Sequence, residues 1–199
     1  MRTGAHPSRR RSLFLAGAGL LTVVLTACTG RGGGQLPPDG VLYNGAASFG
    51  FSFSCEDKGG LNPPTGQLAI ELSYVERSTR PLTGPFGIHG TVDVIDPVLE
   101  SAICIGQEPP PGGNELIFLG QYRTTTSVPT GFPRACASAS PRCRFEVIVR
   151  DNDRNGAPST GDFFSIQLSS VTALTSELEP ALVFYARAGL LTSGNLTVS

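Results

Sequence analysis

From about residue 41 to the C-terminus, apolar and polar residues alternate with a period of two, and this pattern constrains the fold more than any other feature of the chain. Successive side chains of a strand point to opposite faces, so alternation marks a strand with one buried face. Phe49, Phe51, Phe53 and Cys55 alternate with Ser48, Gly50, Ser52 and Ser54. Leu68, Ile70, Leu72 and Tyr74 alternate with Ala69, Glu71 and Ser73. The same rhythm runs through Ile88, Val92 and Val94, through Phe145, Val147 and Val149, and through Phe164, Ile166 and Leu168. Less regular apolar runs occupy 116–122, 182–186 and 196–198. Between them lie turn signals such as Asn62-Pro63-Pro64-Thr65-Gly66 and the segments 81–87, 108–114, 129–133 and 155–161. The chain holds 25 Gly and 16 Pro, about a fifth of its residues, which favours turns over long helices. Beyond Cys28, only 171–179 is expected to form one or two helical turns. About eight or nine half-buried strands predict an all-β fold, an antiparallel β-sandwich or jelly roll over 41–199. No internal repeat is present, and a second domain would have too few strands to close its own core.

The first 27 residues read as an export signal. Arg9, Arg10 and Arg11 form a positive start, with Arg2 upstream, and residues 13–27 are a 15-residue run without charge. A membrane span needs about 20 apolar residues, so this run fits a signal peptide better. It ends in Leu25-Thr26-Ala27-Cys28, which resembles the bacterial lipobox. That resemblance implies cleavage before Cys28 and a diacylglycerol on its thiol. Arg10-Arg11-Ser12-Leu13-Phe14 resembles the twin-arginine export consensus. The Gly- and Pro-rich stretch 29–38 has no periodicity, so residues 28–40 are expected to be a lipidated cysteine and a flexible tether. The predicted location is an outward-facing membrane anchor, at the cell surface or in the periplasm.

Loss of residues 1–27 removes four of the 15 basic residues and leaves 11 against 16 acidic ones, a formal charge of −5. An acidic chain does not grip phosphate backbones or anionic lipid, which argues against a nucleic-acid partner. Five cysteines are an odd number for an exported protein. With Cys28 lipidated, Cys55, Cys104, Cys136 and Cys143 remain, enough for two disulfides in an oxidising compartment. Three connectivities are open. Closeness in sequence favours Cys136 with Cys143, which leaves Cys55 with Cys104. The spacings contain no CxxC pair, so they do not suggest structural zinc.

The pattern also resembles the uncharacterised β-sandwich domains carried by many bacterial secreted and surface proteins. The residues bearing the likeness are Ser48-Phe49-Gly50-Phe51, Thr65-Gly66-Gln67-Leu68 and His89-Gly90-Thr91-Val92, then Cys143-Arg144-Phe145-Glu146-Val147, Gly161-Asp162-Phe163-Phe164 and Gly194-Asn195-Leu196-Thr197-Val198. The resemblance implies a fold and no settled activity. The four cysteines after Cys28 are not part of that pattern.

Catalytic chemistry has little to draw on. His89 is the only histidine after the signal, and its strand phase places it with Thr91 and Asp93, facing solvent or a loop. Ala46-Ala47-Ser48-Phe49-Gly50 is only faintly like a nucleophile elbow, with no helix after it. One local motif has defined chemistry. Asp151, Asp153, Asn155, the backbone carbonyl of Ala157 and Asp162 fit the calcium-loop spacing D-x-[DN]-x-[DN]-G-x5-[DE]. Pro158 and the short arm of Asp162 depart from that pattern, and a polar hairpin turn is the plainer alternative. The sequence therefore predicts a lipid-anchored extracytoplasmic module that binds a surface or envelope ligand without chemistry. The alternative is an envelope-polymer hydrolase, helped by calcium. Paired carboxylates in a cleft would favour the hydrolase, and a flat face of Ser and Thr would favour the binding module.

Overall fold

The computed structural model describes residues 27–57, 66–91, 113–140, 143–152, 161–170 and 182–198. These form nine strands: β1 (Ala27–Leu36), β2 (Ala47–Asp57), β3 (Gly66–Glu76), β4 (Phe86–Thr91), β5 (Glu115–Thr124), β6 (Cys143–Arg150), β7 (Phe163–Ser169), β8 (Val183–Leu190) and β9 (Ser193–Val198). The described residues read as strands from their alternation are strands, in the expected phase, while Val92 and Val94 lie outside the described residues. Phe49, Phe51, Phe53 and Cys55 are buried, as are Ile70, Leu72 and Tyr74, and Phe145, Val147 and Val149. The helical turns expected over 171–179 and residues 1–26 of the export signal lie outside the described residues.

The strands make one continuous sheet in the order β8-β7-β6-β5-β4-β3-β2-β1-β9, with every neighbouring pair antiparallel. The fold is all-β, as predicted, but the expected division into the two sheets of a sandwich or jelly roll is not seen among the described strands. From β1 to β8 the chain is a simple meander. The sheet coils instead of splitting, because strand twist accumulates over so many strands.

The two ends of the meander come together through the last segment of chain. β8 pairs with β7 and β9 with β1, and antiparallel pairing throughout makes β8 and β9 run in the same sense. They behave as one bent strand that changes partner. Leu191 N still donates to Asp162 O at 2.8 Å, beyond the start of β7, whereas Thr192 N donates to Gln35 O at 3.0 Å on β1. Opposite walls of the curled sheet therefore meet inside. Phe49 of β2 stacks on Phe164 of β7 with ring centroids 3.6 Å apart, and Phe51 and Phe53 of β2 lie 5.4 and 5.6 Å from Phe118 of β5. Aromatic rings carry large apolar area, so they span a wide interior with few side chains.

One expectation is corrected. Residues 29–38 were expected to belong to a flexible tether, but 27–36 are β1, paired with β2 on one side and β9 on the other. Glycine supports this strand because β9 lies so near. A Cβ on Gly32 would stand 2.7 Å from the Leu196 side chain and 2.9 Å from its Cα. On the partner side Gly194 has φ +110°, a conformation that disfavours other residues. A Gly-rich run thus reads as linker by composition and is strand by packing.

Candidate functional site

The outward faces of β1 to β4 carry a polar track that the inward aromatic pattern dictates. With Phe49, Phe51 and Phe53 turned in, Gly50, Ser52 and Ser54 must turn out. With Leu72 and Tyr74 turned in, Glu71 and Ser73 turn out. Register then sets these residues side by side. Gly33, Gly50, Ser73 and His89 form one cross-strand row, and Arg31, Ser52, Glu71 and Thr91 form the next.

Two shallow clefts lie along this track and share Ser52. The first, about 420 Å³, is lined by Gly50, Ser52, Glu71, Ser73 and His89 among others. The second, about 330 Å³, is lined by Arg31, Ser52, Ser54 and Thr197, with Phe53 beneath. The missing side chain of Gly50 makes part of the first cleft, since a Cβ there would meet nothing nearer than the Gly32 carbonyl oxygen at 3.9 Å. His89 Nε2 lies 3.1 Å from Glu71 Oε2. His89 is half-buried and Glu71 exposed, so the pair sits at the rim of water and is worth little as a salt bridge. Ser73 is the direct strand partner of His89, yet no hydrogen bond joins their side chains among the described residues.

The other predicted site residues are placed as follows. Cys28 is the second residue of β1 and stands opposite Cys55 in the β1–β2 register. Cys136 and Cys143 form a disulfide with a Cα–Cα distance of 5.4 Å, as their spacing suggested. Cys55 is buried and disulfide-bonded, and Cys104 lies outside the described residues. Of the five expected calcium ligands, Asp153, Asn155 and Ala157 lie outside the described residues. The two described carboxylates hold β9 in place. Asp162 accepts Asn152 N at 3.0 Å on one oxygen and Leu196 N at 2.8 Å on the other, and Asp151 accepts Val198 N at 3.2 Å. Among the described residues no group of three or more metal-binding side chains converges.

A second cluster of charged groups was not apparent from the sequence. Glu76 at the end of β3 and Arg187 on β8 are both buried and pair at 2.6 Å. Glu76 also accepts from the hydroxyls of Tyr74 and Tyr185 and from Ser78 N. Arg187 donates to the carbonyls of Leu36, Pro37 and Gly45 and lies over the Tyr43 ring at 4.5 Å. Burial, and then the Glu76 charge, push the Tyr43 hydroxyl up to about 12 and the Tyr74 hydroxyl well above its ordinary value. Perturbed groups mark active sites when they line a cleft. Here they are enclosed and satisfied by one another, and they clamp β8 to the β1–β2 connection.

Glu146 is the described carboxylate whose pKa is raised, by burial. It lies on β6 in register with Leu119, three strands from Glu71, or about 14 Å along the sheet. The outer face thus keeps Glu71 and Glu146 apart. Compared with protein-family models, with curated proteins and with solved structures, the chain matches none.

Proposed function

We propose that this chain is a lipid-anchored extracytoplasmic module that binds an envelope or surface polymer on the outer face of β1 to β4. The observation that carries the reading is the open serine-lined track, with its Glu71–His89 pair, on a sheet whose interior is packed with rings. A face of hydroxyls and single charges can hold a ligand, whereas a glycosidase places two carboxylates across a cleft. The lipobox-like Leu25-Thr26-Ala27-Cys28 supports the anchor, and with Cys28 itself within β1 the lipid would leave almost no slack before the folded sheet.

Hydrolysis is the second reading, favoured by one observation: Ser73, His89 and Glu71 adjoin one another. A triad needs the base to hold the nucleophile with one nitrogen and the acid with the other. Here Nε2 faces the acid, and Nδ1 would have to reach Ser73.

Gly50→Val tests both readings. The new side chain enters open space on a strand face, so the fold should tolerate it, with a melting temperature equal to or above the parent's. It should also fill the first cleft. Full-length protein in detergent is mixed with purified cell-wall sacculi and pelleted. The parent should co-sediment and Gly50→Val should stay in solution. If the parent does not sediment, or the variant sediments equally, the binding reading fails. Release of soluble fragments by the parent and not by Ser73→Ala would establish the hydrolase instead.

A further inference from the structure

We propose that the track takes a short zwitterionic peptide, its amine on Glu71 and its carboxylate on Arg31. This rests on the reading of β1 to β4 as the binding face and narrows the ligand to a peptide branch of that polymer that carries a free amine and a free carboxylate. Arg31, Ser52 and Glu71 are consecutive partners across three strands. Two strand spacings put the Arg31 and Glu71 backbones about 10 Å apart. Arg31 is exposed, lines the second cleft and makes no ion pair among the described residues. Glu71 lines the first cleft and meets His89 through Oε2, which leaves Oε1 for a ligand. Ser52 lies between them and belongs to both clefts, so one continuous ligand can run from one charge to the other.

The charges decide what fits. A polyanion is repelled by Glu71 and a polycation by Arg31. A neutral glycan would use neither charge, and among the described residues no Phe or Tyr ring stands on the outward side of the track to stack a sugar, since Phe51 and Phe53 lie beneath it with their side chains buried. A molecule with an ammonium and a carboxylate about 10 Å apart satisfies both ends. An extended chain advances about 3.3–3.6 Å per residue, so a tripeptide has that span. Its amides would lie over Ser52, with Ser54 and Ser73 alongside as hydroxyl partners.

The probe is tri-alanine, followed by amide chemical shifts of Ser52 and Ser73 in the full-length protein in detergent. Tri-alanine should shift both resonances. N-acetyl-tri-alanine and tri-alanine amide should each bind about fivefold more weakly, the upper end for an exposed ion pair. Glu71→Gln should erase the effect of acetylation but keep that of amidation. Arg31→Gln should do the reverse. No shift up to the solubility of tri-alanine, or equal binding of free and capped peptides, overturns the proposal. The two readings fail separately. If sacculi still bind the parent and not Gly50→Val while tri-alanine does nothing, the binding face stands and the zwitterion does not.

Discussion

Gly120 on β5 and Gly50 on β2 are both strand glycines, but they stand in opposite surroundings. A Cβ on Gly120 would run into the Thr91 carbonyl oxygen and lie 2.8 Å from the Phe145 ring. Backbone and a packed ring cannot move aside cheaply, so overpacking should cost about 1–3 kcal/mol. Gly120→Ala should therefore lower the melting temperature by about 2–12 °C, at about 2–4 °C per kcal/mol for a chain of this size. Gly50→Val should not lower it. A thermal melt of both variants checks the contrast, and an unchanged Gly120→Ala would mean that Phe145 has room to turn. The sequence does not distinguish the two glycines. Alternation locates the rings of Phe49, Phe145 and Phe164 well enough, because burial follows directly from period. What a glycine accommodates depends on how closely a distant strand approaches, and no local pattern encodes that.

The buried Glu76–Arg187 pair works at the scale of strands, since it joins the end of β3 to β8 and, through three carbonyls, to the connection after β1. That connection is built tightly. Asp39 accepts N–H bonds from Tyr43, Leu42 and Val41, which hold its carboxyl below the usual range, Tyr43 contributing most. Arg187→Met would leave the Glu76 carboxylate buried without its counter-ion, a loss of about 3–5 kcal/mol, whereas replacing both charges by apolar residues is often neutral. The single variant should melt about 6–20 °C below the parent. Glu76→Leu with Arg187→Met should recover much of that loss. A double variant no better than the single would show that the hydrogen bonds to the carbonyls, and not the stranded charge, dominate. The sequence carried a faint signal of the pair. Glu76 follows Tyr74 by two residues and Arg187 follows Tyr185 by two, so both continue the inward phase of their strands. Two inward charges of opposite sign invite pairing, but the topology that brings β3 and β8 together is not written in either strand. β1 was misread for a related reason. Its glycines show no alternation, and its strand character comes from β2 and β9 on its two sides.

The whole sheet is held around tyrosines, and this has a consequence at high pH. The chain has four: Tyr43 after β1, Tyr74 on β3, Tyr122 on β5 and Tyr185 on β8. All are buried, and burial is the first cause that raises each hydroxyl above its ordinary value. Glu76 adds to the effect at three of them, and the neighbouring Tyr74 hydroxyl adds at Tyr185. A raised pKa means that the fold favours the neutral phenol. Below about pH 10 the phenols are neutral in both the folded and the unfolded chain, so the stability they carry is fully present. Above that the unfolded chain loses its phenolic protons first, and stability falls as pH rises toward the Tyr43 value of about 12. The chain has a single lysine, Lys58, so little other side-chain titration overlaps this window. An alkaline titration followed by tyrosinate absorbance and far-ultraviolet circular dichroism should therefore give one cooperative step above pH 10, with phenolate appearing as β-structure is lost. Tyr43→Phe should leave that step in place, because Tyr74, Tyr122 and Tyr185 lie deeper. Tyrosinate appearing near pH 10 with the β-signal intact would place at least one of these rings in water and would refute the closed aromatic interior.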